Sequence, residues 1–143
     1  MSDHSTYDYA VIRVVPRVER EEFVNVGVVV SCPAHDFLDA AIELDPARIA
    51  ILDPTLDIDT LQRHLDSMSR ICRGGADAEP IGQLSRRERF RWMVAPRSTV
   101  IQFSPAHTGR CEQPQQLLER LMDQLVRVPH AQQVAPRRGD FLR

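Results

Sequence analysis

Lysine is missing from this chain, and all 18 of its positive side chains are arginine. That excludes a Schiff-base amine and the lysine of a phosphate-binding P-loop. The bias itself reads as coding preference, because most surface positions tolerate either cation. Cysteine is also sparse. Cys32, Cys72 and Cys111 are odd in number, widely spaced and without a C-x-x-C pair, so they form no disulfide framework and fit a reduced, cytoplasmic compartment. No apolar run approaches the roughly 20 residues of a membrane span. The opening MSDHSTYDY has no basic segment leading into an apolar one, which argues against a secretory leader. A soluble cytoplasmic protein with no membrane partner is expected. A net charge of −2 is too close to neutral for a globally basic nucleic-acid binder.

What is present suits one folded domain. With 143 residues, 43% hydrophobic and 27% charged, the chain can bury a core without metal or disulfide staples. Residues 1–128 read as a single α+β domain and residues 129–143, HAQQVAPRRGDFLR with the proline before it, as a largely disordered tail. The organising stretch is 17–30, RVEREEFVNVGVVV, where a charged turn enters a β-branched strand interrupted by Asn25 and Gly27. Both residue types are depleted in strand interiors. Gly27 marks a bulge or the close approach of another backbone, and the Asn25 amide needs partners wherever it is buried.

Residues 7–15 alternate and stop at Pro16, giving a first strand. A second strand at 23–31 pairs antiparallel with it, because the connection is too short for a crossover helix. Residues 37–44 form a third, completing a meander. Asp45 followed by Pro46 predicts a short helix over 46–52. Ile58, Leu61, Leu65, Met68 and Ile71 recur at helical spacing from Asp57 to a stop at Gly74 and Gly75. The polar 74–80 loop is expected as a surface excursion. Ser85 and Glu88 stand at capping-box spacing and start a helix over 86–91, which 92–95 either extend or leave for a strand. Residues 99–104 are strand-like. Pro114 opens a last helix running to 128, with Leu117, Leu118, Leu121, Met122 and Leu125 on one face. The fold class is therefore α+β, a mostly antiparallel sheet starting with a three-strand meander and helices packed on one face.

Signals for chemistry are weak. Cys32, His35 and Asp36 sit together in CPAHD, but a structural zinc site needs four ligands and no second pair follows; an ordinary strand turn accounts for them. Ser104 and His107, in SPAHTG, more simply satisfy local backbone groups in a turn. Arg86, Arg87, Arg89 and Arg91 form the densest basic run, interleaved with Phe90 and Trp92. Arginine beside aromatic rings can hold phosphates and stack bases, yet a solvated face with part of the run turned to the core explains the pattern too. Arg137 and Arg138 in the tail would add to such a surface. Neither metal nor cofactor is indicated.

Two passages together, YDYAVIRVVP with REEFVNVGVVV and then ERFRWMVAPRSTVIQFSPAHTG, resemble the bacterial family of domain of unknown function three thousand and thirty-seven. Glu22, Phe23, Asn25, Val26 and Gly27 carry the resemblance, followed by Arg89, Phe90, Pro96, Arg97, Ser104, His107 and Gly109. It implies no established activity. Members are often encoded beside a HipA-like kinase, which implies that kinase as a partner.

Two functional expectations follow. The first is a non-catalytic interaction or regulatory module. The second is a phosphate- or nucleic-acid-directed enzyme or ligand-binding protein whose site gathers Glu22 and Asn25 with Arg97, Ser104 and His107, Gly27 and Gly109 allowing close backbone approach. In the second, arginine would hold an anion and histidine would transfer a proton near neutral pH. It requires those side chains to converge.

Overall fold

The computed structural model describes residues 4–96 and 99–128 and is built on one long hairpin. Strand β1 (Ser5–Val14) pairs antiparallel with β2 (Val24–Cys32). A 3-10 turn at Pro33–His35 leads into β3 (Phe37–Ile42), antiparallel to β2, so the opening meander is as the sequence indicates. The other edge of β1 is covered by two short strands laid end to end. These are β4 (Ile101–Phe103), with Arg13 opposite Gln102, and β5 (His107–Cys111), with Tyr9 opposite His107. The sheet is antiparallel throughout, in order β3-β2-β1-β4 with β5 also beside β1.

The valine-rich strand serves both faces of this sheet and carries a bulge. Ile12 lies opposite Gly27 and Arg13 opposite Asn25, so Val26 is an extra residue without a counterpart in β1. An inserted residue inverts the in-out alternation beyond it. Val24 and Val26 consequently share one face with Val29, whereas Val28 and Val30 point to the other. All five are buried, and each side chain so placed contributes about 1.5–3 kcal/mol relative to exposure. Gly27 permits the packing of the neighbouring strand: a Cβ there would lie 2.6 Å from the Ala41 carbonyl oxygen.

Four helices flank the sheet. α1 (Pro46–Leu52) is capped by the Asp45 carboxylate, which accepts from the Ala47 N–H at 3.0 Å. α2 (Ile58–Arg73) is capped by Asp57 and buries Leu61, Leu65, Met68, Ile71 and Cys72. α3 (Arg86–Val94) starts with the Ser85/Glu88 capping box and continues through Trp92, so residues 92–94 extend the helix. α4 (Pro114–Leu125) buries Leu117, Leu118, Leu121 and Met122. The 74–80 loop is less of an excursion than its polarity suggests, because Ala78 packs against the core, as does Ile81 just beyond it, and the Gly75 N–H bonds to the Gly82 carbonyl at 3.0 Å.

The α+β class is as expected, with one correction to the layering. α2 and α3 pack with Ala10, Val29 and Leu38 on one face, and α1 and α2 with Ile12, Val14, Val24 and Val26 on that same face. α4 packs with Val28 and Val30 on the opposite face. Helices therefore lie on both faces, not one. The reason is the run of consecutive valines, since Val28 and Val30 face one side and Val29 the other. The expected tail at 129–143 lies outside the described residues.

Candidate functional site

The residues singled out in the sequence occupy separate parts of this frame. Ser104 is only 2% exposed and acts as a splice between β4 and β5. Its backbone N–H bonds to the Val11 carbonyl at 2.9 Å, while its Oγ accepts from the Val11 N–H at 2.8 Å and donates to the Pro105 carbonyl at 2.9 Å. The hydroxyl thus stands in for a backbone carbonyl where the edge strand kinks, and it is buried with its proton committed to a carbonyl and not to a general base. Glu22 is exposed and bonds Arg20 Nε at 2.5 Å.

Asn25 faces α4 because of the bulge. Its Nδ2 donates to the Leu125 carbonyl at 3.0 Å, and its Oδ1 is buried without a partner among the described residues. On β1 opposite, the Arg13 guanidinium lies 4.2 Å over the Phe23 ring with its Nε likewise buried and unpartnered. His107 is exposed, and its ring lies tilted by 34° against Tyr9 with centroids 5.2 Å apart. Asn25 and His107 pair with β1 from opposite sides and at residues four apart, Arg13 and Tyr9. Strand geometry then separates their backbones by roughly 16 Å, beyond hydrogen-bond reach of a shared reacting atom. Arg97, the remaining member of that set, lies outside the described residues.

The basic run is split by its helix. Arg86, Arg87 and Arg91 are exposed, with Arg86 within 3.8 Å of Asp36. Arg89 is corrected from a surface to a core residue. It is 6% exposed and donates from Nη1 to the Ile71 carbonyl at 3.3 Å, closing the end of α2. An α-helical period, rather than the alternation of a strand, turns Arg89, Phe90 and Met93 inward together.

The three thiols offer no nucleophile. All are buried. Burial pushes the Cys72 thiol up to about 12, and burial, followed by the neighbouring Cys32, raises that of Cys111. A thiolate is the reactive form, so neither is primed for chemistry. Among the described residues no group of three or more His, Cys, Asp or Glu could hold a metal ion, and no helix is long and apolar enough to cross a membrane.

Two surfaces remain that sequence reasoning did not single out. At one end of the molecule the β1–β2 connection, α1 and the end of α4 expose Val18, Phe23, Ile51 and Val128. Near the start of α4, Tyr7, Tyr9 and His107 form a row of rings, Tyr7 and Tyr9 stacking at 6.2 Å. Tyr7 lies across Gly109, where a Cβ would come 2.6 Å from its Cζ, so glycine is what lets the ring lie flat. The two tyrosines, two positions apart on one strand, were the available signal. His107 was among the candidates, but its place beside Tyr9 was hidden because β5 pairs with residues about 100 positions away.

No curated protein and no solved structure matches this chain. The family model described as protein of unknown function (DUF3037) matches residues 9–126, from the second tyrosine of β1 to the end of α4, and the chain belongs to that family.

Proposed function

We propose that the chain is a non-catalytic interaction module that docks a protein partner at the end where the β1–β2 connection, α1 and the exit from α4 come together. The observation that carries this reading is the exposure of large apolar side chains there, with Ile51 81%, Val128 61% and Phe23 45% exposed. Apolar surface rimmed by charge marks interaction sites. The rim here holds Arg17, Arg20, Glu22 and Arg127.

The elements bearing the patch are tied to one another. Arg17 pairs with Asp53 at 3.7 Å, Arg48 donates to the Val126 carbonyl at 2.9 Å, and Asn25 holds Leu125. A preformed surface of this kind binds without a large ordering cost. The engagement of Ser104 in the sheet and the high thiol pKa values of Cys72 and Cys111 favour binding over catalysis. The partner implied by the family resemblance is a HipA-like kinase.

Calorimetric titration of the full chain into a purified HipA-like kinase from the same cell tests this. Saturable binding is expected, weakened roughly ten-fold or more by Phe23→Ser with Ile51→Ser, the scale of an interface hot spot. Absence of binding together with an unchanged phosphorylation rate would remove the kinase as partner.

A further inference from the structure

The outer edge of β3 has no strand beside it among the described residues. Its register shows which backbone groups face outward. The Glu43 N–H donates to the Val26 carbonyl at 2.8 Å, and Ile42 lies opposite Gly27. Residues of an antiparallel ladder bond alternately to one side and the other. Phe37, Asp39 and Ala41 therefore bond to β2, while Leu38, Ala40 and Ile42 turn their N–H and C=O groups away from it. The Ala40 N–H is occupied by its neighbour's carboxylate, donating to Asp39 Oδ1 at 2.9 Å. A charge held on the edge in this way keeps it from pairing indiscriminately. The outward groups of Leu38 and Ile42 have no partner among the described residues.

A cavity of ≈ 390 Å³ runs beside the start of this edge. Leu38 turns toward α2 and α3, and Phe37 toward α4, yet both line it, as do Asp36 and Asp39. Side chains of both faces of a strand meet one cavity along its edge. Cys72 and Arg73, the last residues of α2, and Arg86, the first of α3, complete the lining. They stand on the Leu38 side, since Leu38 and Cys72 share one apolar cluster. Directly opposite residues of neighbouring strands share a face. A strand added here would thus put the side chain opposite Leu38 against Arg73 and Arg86.

Charge decides what that side chain is. Asp39 is engaged by the edge amide, and Asp36 by Arg86 at 3.8 Å. Arg73 is exposed and makes no hydrogen bond or ion pair among the described residues. The unmatched charge is positive, and a guanidinium fork takes a carboxylate.

We infer that the β3 edge takes an extended peptide segment of a partner protein as a further strand of the sheet, with an acidic side chain of that segment entering the cavity against Arg73. The edge supplies backbone hydrogen bonds and the cavity supplies selection, the division of labour of strand addition. The cavity lies by Cys32, at the far end of β2 from Phe23. This surface and the apolar docking patch therefore stand or fall separately.

Nuclear magnetic resonance of the full chain with short peptides tests it. The probe is an acetylated, amidated heptapeptide alternating threonine and valine, with glutamate in place of the central valine. At saturation the Leu38 and Ile42 amides are expected to gain protection from hydrogen exchange, while those of Phe37 and Ala41, already bonded to β2, change little. The glutamate peptide should bind roughly two- to five-fold more tightly than its glutamine counterpart, the scale of a partly exposed ion pair. Arg73→Gln should erase that difference. Asp39→Ala should tighten binding, since it frees the Ala40 N–H and removes a like charge. Of two peptides N-methylated on alternate sets of amides, one should lose binding and the other keep it. Failure of the glutamate peptide to bind at millimolar concentration would overturn the inference. So would binding without new protection at Leu38 and Ile42, equal affinity for the glutamate and glutamine peptides, or equal affinity for the two N-methylated ones. Protection of those amides that grows with protein concentration in the absence of peptide would overturn it too, by assigning the edge to a second copy of this chain.

Discussion

The guanidinium of Arg89 occupies the space that a side chain at residue 74 would need. Gly74 has φ +75°, and a Cβ built on it would run into Arg89 Nη1, the same nitrogen that donates to the Ile71 carbonyl. α2 ends where it does because a glycine both turns the chain and admits the arginine of α3. The successive helices α2 and α3 are locked by this pair, and the basic run loses Arg89 to the core.

That division predicts a sharp contrast in stability. Arg86→Ala and Arg87→Ala remove exposed side chains and should change unfolding free energy by no more than about 0.5 kcal/mol. Arg89→Ala removes a charge-assisted hydrogen bond and the packing of a buried stem, and should cost about 2–4 kcal/mol. Urea unfolding of the three variants measures this, and equal midpoints would show that Arg89 is not structural.

Ser104 gives a second contrast. Ser104→Ala leaves the Val11 N–H buried without its acceptor, at a cost of about 1–3 kcal/mol. Ser104→Thr retains the hydroxyl and should recover part of the loss. Hydrogen exchange is the direct readout, with the Val11 amide losing protection in the alanine variant and regaining it in the threonine one.

The same residues explain how far the sequence could be read. β1, β2, α1, α2 and α4 are legible from local period and caps alone, Asp45 and Asp57 marking helix starts that the structure keeps. β5 was hidden because HTGRC has the composition of a turn. It becomes a strand only because Tyr7 supplies the ring that Gly109 lacks, a partner no window of sequence contains. That Asn25 turns to α4 while Val24 and Val26 turn away from it was illegible for a related reason, since it depends on one bulged residue, Val26. Arg89 was seen as charge, and its role rests on a glycine fifteen positions earlier.

Acid should loosen α2 through its cap. Hydrogen bonds from the Thr60 hydroxyl and N–H hold the Asp57 carboxyl below the usual carboxylate range. A depressed folded-state pKa stabilises the fold above the unfolded value of about 3.9, and that contribution is lost as pH falls through the folded value. Asp57→Ala should therefore lower the melting temperature at pH 7 and make little difference near pH 2. A deficit of equal size at both pH values would assign the cap's contribution to hydrogen bonding independent of charge.

The end of α4 should open as a unit when its two tethers are cut. Asn25 and Arg48 donate to successive carbonyls, those of Leu125 and Val126, at 3.0 and 2.9 Å. These lie in the last turn, where carbonyls have no intrahelical donor. Each bond should be worth about 1 kcal/mol, the arginine's somewhat more because it is charged. Asn25→Ala or Arg48→Ala should then raise the exchange rate of the Val126 and Arg127 amides, both of which bond to the Met122 carbonyl, by about five-fold. The double variant should raise it further, whereas Val29 in the central strand, buried under α2 and α3, keeps its protection apart from any global loss. Such selective fraying is local opening rather than unfolding. The same double variant bears on the docking surface, since the end of α4 is then no longer tied to α1 through Arg48 and Val126. A fall in partner affinity with the sheet intact would show that the tethers preform the patch. Unchanged exchange at Val126 and Arg127 would show that packing of Leu121 and Met122, not the two side-chain donors, fixes the helix end.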